Sequence, residues 1–518
     1  MTGVGNEPGP ESGAETGTEV ETGRTDGAGM AKRVARGVGW LYTYRWLERL
    51  LDLLSIIVLA RILSPEDFGI VAIAVSIVAI VEGLSAFDVN KALIRTRCED
   101  RDLYDSAWTL SALRGLASAL CMIVIAPFLS DPRLAAVLAV LALSPVLMGL
   151  SNPRFVLFER DLIYSKLAVL TLGARGVSFG LTLGLAFVYR SYWALVIGMV
   201  AGHLTSLVLS YALRPYRPRL TLARFSDIFA FSGWLSLTTM VTTLAMETDK
   251  LIVGKWLGVA DAGRYFMTQR VGVLPTRELV SPLQRILFPS FSELTADTGR
   301  LRRVVGESIN VIGSLSLPAG FGFALVAGDF VPLALGPQWD GIIPLLQILV
   351  PYLSLRATLS MTLPCVMALG QVRLLFWVSL AYSLFHVPAF IAATAFYGLP
   401  GAIWSLVVAG VLYSYLNAWL LNRTLSISLS EILAQLLRPL CASALMVGAV
   451  LALGAVLPPS LLSEPASSGF AASATSWWRL LAQVGVGGVV FCSTLYALWR
   501  WQGRPAGIEQ RLLQLRSR

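Results

Sequence analysis

Four ionisable residues, Arg45, Glu48, Arg49 and Asp52, fall within one otherwise apolar stretch at spacings of i, i+3, i+4 and i+7. On an α-helix that spacing gathers all four on one face about 100° wide. Each charge costs on the order of 2.5–3.5 kcal/mol at the centre of a membrane-spanning helix on insertion scales, so this face is predicted to avoid lipid and to line a bundle interior or a water-filled cavity. The competing reading is a packing role, with Arg45 paired to Glu48, or Arg49 to Asp52, along the same helix. Arg270 and Arg277 form a second one-sided pair, seven residues apart with Pro275 between them. A proline there loosens the backbone and bends a helix. Guanidinium stays ionised when desolvated and holds phosphate oxygens in a bidentate fork. A cavity carrying Arg45, Arg49, Arg270 and Arg277 therefore suits a diphosphate whose hydrocarbon tail remains in lipid. Glu48, Asp52 and Glu247 are the candidates for ion coupling, while Glu247, Asp249 and Lys250 together are equally well read as a rim of interfacial charge.

Further polar residues occur inside apolar runs: Arg114, Arg175, Arg356, Glu82, Asp88, His203 and His386. An isolated histidine in such a run is more often a packed, hydrogen-bonded residue than a proton carrier. No G-x-x-x-x-G-K-[ST] sequence is present, so no ATP-hydrolysing loop is expected. Asp297-Thr298-Gly299 resembles an aspartic-protease triplet but stands alone in a basic connector. The five cysteines (Cys98, Cys121, Cys365, Cys441, Cys492) have no metal-ligand spacing and imply no disulfide framework. No cofactor is expected.

The elements that must position these charges are membrane spans. The chain has 518 residues, 55% of them hydrophobic and only 14% charged, against about 25% charged in soluble proteins; its mean hydropathy is +0.68. Apolar runs of roughly 20 residues, the length that crosses about 30 Å of hydrocarbon, lie near 37–62, 68–89, 105–129, 134–152, 165–188 and 192–213. A second group lies near 229–256, 262–287, 304–329, 341–369, 374–396 and 400–421, and two more near 436–458 and 478–499. The fold class predicted is therefore an all-α integral membrane protein of about fourteen transmembrane helices. Trp40, Trp108, Trp193, Trp256, Trp339, Trp478 and Trp499 fall near span ends, where amphipathic rings favour the interface.

Lysine and arginine in the connectors set the orientation. With the N-terminus cytoplasmic, one side receives Lys32, Arg33, Arg36, Lys91, Arg95, Arg97, Arg101, Arg154, Arg160, Lys166 and the groups Arg214–Arg224, Arg300–Arg303 and Arg500–Arg518. The other side holds only Arg61, Arg133, Arg190, Lys255, Arg264 and Arg479. Both termini are thus predicted to be cytoplasmic. The net charge of +9 is scattered in small clusters rather than gathered on one face, which argues against nucleic acid as a partner. Residues 1–30 are Gly/Glu/Thr-rich, lack a secretory signal pattern and are read as a disordered acidic tail. External connectors are short except for roughly 457–477, which is nearly uncharged, so no catalytic loop of a membrane enzyme is offered.

The chain contains an internal duplication. Gly39-Trp40-Leu41 recurs as Gly233-Trp234-Leu235, and in the same register Leu63, Asp67 and Gly69 match Leu257, Asp261 and Gly263; Arg61 matches Lys255, and Lys91 matches Arg285. The first and seventh spans both run outward, so the halves are parallel repeats of six helices, an architecture that places a binding site between them. The counterparts of Arg45, Glu48 and Arg49 are Thr239, Thr242 and Thr243, which gives the seventh span a polar face of its own. The domains expected are a tail (1–30), an N-terminal six-helix lobe (31–225), a C-terminal six-helix lobe (226–425), two additional spans (426–500) and a basic cytoplasmic tail (501–518).

The runs LARILSPEDFGIVAIA (59–74), KALIRTRCEDRDLYDSAW (91–108), DKLIVGKWLGVADAGRYFMTQRVGVLP (249–275), RILFPSFSEL (285–294) and VPLALGPQWDGIIPLLQIL (331–349) resemble, in this order, Wzx-type polysaccharide flippases of the multidrug/oligosaccharidyl-lipid/polysaccharide exporter superfamily. The resemblance covers about residues 35–425. It implies a V-shaped bundle of two lobes around a central cationic cavity in the bacterial inner membrane. It also implies transfer of polyprenyl-diphosphate-linked oligosaccharide to the outer leaflet by alternating access, without an enzymatic reaction. The partners implied are that substrate, membrane lipid and other polysaccharide-assembly proteins. Two alternatives stand beside it: a cation-coupled multidrug exporter of the same superfamily, which calls for an acidic and aromatic cavity, and a membrane scaffold for a glycan-synthesis complex, which leaves the buried charges without a purpose.

Overall fold

The computed structural model describes residues 22–85, 101–160, 163–223, 225–456 and 470–501. Helices and short 3-10 turns account for the regular structure, and no strand occurs among the described residues. Helix is what hydrocarbon demands, because each backbone N–H and C=O finds its partner within the same segment. Residues 1–21, Asp88, Lys91, Arg95, Arg97 and the C-terminal tail beyond Trp501 lie outside the described residues.

In chain order the helices that matter for the site are α1 (Thr22–Ile62), α2 (Pro65–Leu84), α3 (Arg101–Ile125), α4 (Pro132–Leu141), α5 (Leu143–Gly149), α6 (Val156–Arg160), α7 (Tyr164–Tyr189), α8 (Trp193–Leu213), α9 (Phe225–Leu257) and α10 (Val259–Glu293). They continue as α11 (Thr298–Ala334), α12 (Ile343–Thr358), α13 (Thr362–Ala368), α14 (Val372–Leu425), α15 (Leu429–Val456) and α16 (Phe470–Trp501). Among the described residues, ten segments are long and apolar enough to cross a membrane. α1, α9 and α10 are equally long but are the helices that carry the clustered charges. α14 runs 54 residues but is broken at Gly398, where φ 64° and ψ −149° are open to glycine alone, with Pro400 beyond. It therefore consists of two helices meeting at Gly398. α10, by contrast, continues through Pro275 as one helix.

α1 is helical from Thr22. Trp339 is a correction to the sequence reading. Its place near a span end suggests an interfacial ring, yet it is fully buried in a cluster with Phe68, Leu63 and Met267. Its indole N–H donates to the carbonyl of Ala60 at 2.9 Å, and the Gln338 amide donates to the same carbonyl at 2.6 Å. Buried indoles need such a partner. In return Arg61, at the end of α1, donates through Nε to the Ala334 carbonyl at 3.1 Å and through Nη2 to that of Leu333. A cation there meets the negative end of α11. The two helix ends thus cap each other, and residues 56–63, at and just beyond the end of α1, are closed against the second half of the chain.

α2 begins with a full capping box: Ser64 accepts from the Asp67 N–H, and the Asp67 carboxylate accepts from the Ser64 N–H at 3.0 Å. This explains the Asp of the L-x-x-x-D-x-G pattern. Asp67 also accepts from the Tyr192 N–H at 3.1 Å, which ties α2 to the start of α8. The Gly of the pattern serves close packing. α2 lies against α9 and α10, where a Cβ on Gly69 would fall 1.9 Å from the Val259 carbonyl oxygen and one on Gly263 would fall 1.8 Å from that of Pro65. Pro65 and Val259 are themselves counterparts in the register of the duplication, so the contact is reciprocal.

Candidate functional site

The charges read from the first span lie where α1, α7 and α10 face one another. Glu48 and Asp52 on α1 both meet Arg175 of α7, with Nε to Oε1 at 3.3 Å and Nη1 to Oδ1 at 3.6 Å. Arg49 forms an ion pair with Glu278 of α10. The packing alternative, a ladder along α1 itself, is not what forms. The acids of α1 turn one way and Arg49 turns the other, so α1 is tied by charge to a helix of each half of the chain.

Arg270 and Arg277 stand exposed on the same side of α10, and Arg270 lies in the electrostatic field of Asp52, Arg175 and Arg277. Arg45 lies over the Tyr44 ring at 5.7 Å. Among the described residues Arg45, Arg270 and Arg277 form no ion pair. The face therefore brings together five guanidiniums (Arg45, Arg49, Arg175, Arg270, Arg277) with three carboxylates (Glu48, Asp52, Glu278) and keeps an excess of positive charge. Arg49 joins it through Glu278, and Arg270 and Arg277 through their mutual field, while Arg45 stands one helical turn before Arg49 on α1.

The threonines behave differently. The Thr242 hydroxyl donates to its own helix, to the Thr238 carbonyl at 2.8 Å, and Thr243 packs against Gly83 of α2. Thr239 is exposed. They make α9 locally polar without placing a charge in the cleft. Glu247 is neutralised by Lys250 one turn on, at 2.6 Å.

Asp249 is neither part of the cleft nor an interfacial rim. It is 2% exposed and accepts from Tyr265 Oη at 3.0 Å, while its Oδ1 lies 2.9 Å from Nε2 of His386, which is 1% exposed. Gln269 Nε2 donates to the Tyr265 hydroxyl at 2.6 Å, and the Tyr382 ring stacks on the imidazole, centroids 5.2 Å apart and 6° from parallel. A carboxylate and an imidazole from helices 137 residues apart in sequence thus form a buried network within the second half. Asp297, from the protease-like triplet, caps α11 by accepting from the Arg300 N–H at 2.9 Å. That is its whole role in view.

Glu278 was not singled out in the sequence although it adjoins Arg277, and it is the one acid in the middle of α10. Arg175 stood in the sequence only as one more intramembrane arginine. Nothing local in α7 says that it answers two carboxylates on α1.

Residues 58–344 match the family described as polysaccharide biosynthesis protein. The chain is 29% identical over 392 residues to the lipopolysaccharide biosynthesis protein WzxC of Escherichia coli K12, covering 73% of this chain and 76% of that one. It is 26% identical over 429 residues to the succinoglycan biosynthesis transport protein ExoT of Rhizobium meliloti, covering 80% and 85%. Among solved structures, the fold is similar to that of the lipid II flippase MurJ in an inward closed conformation, with a TM-score of 0.69, 14% identity, and 89% and 99% of the two chains covered. An inward-facing multidrug resistance MATE transporter aligns with a TM-score of 0.55 and 16% identity, over 75% and 95%. Because the family match spans more than half of the 518 residues, the chain belongs to the polysaccharide biosynthesis proteins, as a Wzx-type member of the multidrug/oligosaccharidyl-lipid/polysaccharide exporter superfamily.

Proposed function

We propose that this multi-pass membrane protein is a flippase that carries a polyprenyl-diphosphate-linked oligosaccharide from the cytoplasmic to the outer leaflet of the bacterial inner membrane by alternating access. The observation that carries the reading is the arginine-rich face shared by α1, α7 and α10. Five guanidiniums against three carboxylates leave two positive charges, which match the two ionised oxygens of a diphosphate diester. The flippase and transport functions in the names of MurJ and ExoT support the same reading, and the arginine excess disfavours export of cationic drugs.

In this reading the chain crosses fourteen times: through the ten apolar spans, through charged α1, α9 and α10, and once more because Gly398 divides α14. The distribution of basic residues supports cytoplasmic termini. The reciprocal contact of Gly69 and Gly263 supports two parallel six-helix lobes. On this reading the contact of Ala60 and Arg61 with Trp339 and Ala334 is the outer closure of the lobes, and the cleft opens towards the cytoplasm beside Arg45 and Arg277. Glu48 and Asp52 hold Arg175 in place, and exchange of that bridge for a ligand phosphate or a proton is a means of coupling. Other polysaccharide-assembly proteins would meet the cytoplasmic ends.

The test is transbilayer movement of a fluorescent polyprenyl-diphosphate oligosaccharide in liposomes. Arg45→Ala/Arg49→Ala/Arg270→Ala should lower the rate at least tenfold while inserting as well as the wild type. An unchanged rate in the triple variant would remove these arginines from the site. Absence of movement by the wild type, accompanied by movement of an organic cation, would replace the flippase with a drug exporter.

A further inference from the structure

Beside the arginine face, the second half of the chain holds a cavity of about 370 Å³ lined by residues of α9, α10, α12, α13 and α14, a size within the range of small-molecule sites. Val273 and Thr276 of α10 line it and lie within about one helical turn of Arg277, so it adjoins the cleft. At its wall stands one cation, Arg356, half-buried in a membrane helix. Among the described residues the ionisable groups that face it are tyrosines, not carboxylates: it lies over the Tyr413 ring at 5.1 Å and within the electrostatic field of Tyr352 and Tyr382. A guanidinium this deep ordinarily has an anion for a partner.

The surroundings are built to hold it still. The Tyr352 hydroxyl occupies the space that a Cβ on Gly410 would take, 1.7 Å away. Tyr413 packs on Tyr382 at 4.9 Å, and Tyr382 stacks on His386, which is fixed by Asp249. The rest of the wall offers neutral hydrogen-bonding groups. The Ser360 hydroxyl is buried with no hydrogen-bond partner, and Asn417, whose amide N–H₂ donates to the Tyr413 carbonyl at 2.8 Å, keeps its carbonyl oxygen for another donor. Thr276 and Gln284 complete the polar lining.

We propose that this chamber receives an acidic sugar residue of the translocated glycan, with Arg356 binding the sugar's carboxylate; the proposal rests on the flippase reading above. One planar fork suits one carboxylate, bidentate. A diphosphate needs more than one cation, and the neighbouring cleft supplies them. Hydroxyl and amide groups answer sugar hydroxyls, and the Tyr413 ring in the lining packs on the apolar face of a pyranose. Rejection of a neutral glycan follows from the same geometry, because a ligand without a carboxylate leaves a desolvated cation unmatched, and a site built for a polar group discriminates strongly against its absence.

The experiment uses two fluorescent polyprenyl-diphosphate tetrasaccharides that differ only in a glucuronate or a glucose residue, assayed for movement in liposomes and for binding to the full chain in nanodiscs by anisotropy. Arg356→Gln should reduce movement of the glucuronate probe at least tenfold more than that of the glucose probe, and Arg356→Lys should restore part of the difference. Equal losses for both probes would overturn the proposal, placing the diphosphate or a packing role at Arg356, and so would no loss for either. If the wild type moves neither probe, the flippase reading fails, and the chamber is then judged by binding alone. Preferential binding of the glucuronate probe that Arg356→Gln abolishes sustains it, and equal binding of the two probes refutes it.

Discussion

Alanine at Gly263 should destabilise the protein by about 3 kcal/mol, the upper end of what overpacking costs. A Cβ there falls 1.8 Å from the Pro65 carbonyl oxygen and 2.9 Å from the Gly69 amide nitrogen. Both are backbone atoms of α2 and have no rotamer to escape into, so the helices themselves must separate. Alanine at Gly69 should cost about as much, since it meets the Val259 carbonyl oxygen at 1.9 Å. The double variant should fall well short of the sum. Either methyl group forces the same two helices apart, and the second then enters a gap already opened, which is how neighbouring sites depart from additivity. Gly180 of α7, with nothing within 4 Å, supplies the control: alanine there should melt within a degree or two of the wild type. Tryptophan fluorescence during heating of the detergent-solubilised protein reads all four variants. Wild-type melting of Gly263→Ala would show that α2 and α10 are not in this contact, and full additivity would show that the two glycines do not share one interface.

That pairing joins a pattern visible in the letters to a contact visible in space. The repeated Leu-x-x-x-Asp-x-Gly pattern was legible because each copy starts a helix, α2 at Pro65 and α10 at Val259, and a small residue is required wherever such helices cross closely. The membrane class was legible for a blunter reason, since hydrocarbon tolerates few sequences. The polar face of α1 could be placed on one side of a helix by counting, but its partners could not. Glu48 and Asp52 are answered by Arg175, well over a hundred residues away, and Arg49 by Glu278, 229 residues away. Helical spacing reports which residues share a face and carries no signal for which face they meet. Trp339 went astray for a related reason. Position near a span end is all the sequence offers, whereas burial depends on the contact that the end of α1 makes with residues 333–339 through Ala60 and Arg61. The divided helix at Gly398 sat in plain view as a Gly-Leu-Pro-Gly run between two apolar stretches.

The Asp249–His386 pair is where sequence said least and where a single substitution should act most strongly. Each residue alone has a bland explanation, and only the fold shows that they are 2.9 Å apart and almost wholly buried. Removing one member of a buried, hydrogen-bonded polar pair typically costs about 3–5 kcal/mol, because the other is left in a low-dielectric surrounding without its partner. His386→Leu should be the more damaging change: it leaves the Asp249 carboxylate with only the Tyr265 hydroxyl at 3.0 Å and deprives Tyr382 of the ring on which it stacks. Asp249→Leu leaves an imidazole, which can remain neutral, and should cost less. The double variant Asp249→Leu/His386→Leu should recover a substantial part of the loss, since an apolar pair of similar volume is tolerated where a broken polar pair is not. Thermal unfolding of the three variants forms a closed cycle whose coupling energy measures the pair directly. A double variant no more stable than His386→Leu would mean that the network is held by the tyrosines rather than by the carboxylate and the imidazole. A coupling of several kcal/mol would make this pair the anchor that fixes α9 against α14, and through Tyr382 and Tyr413 the wall on which Arg356 is mounted.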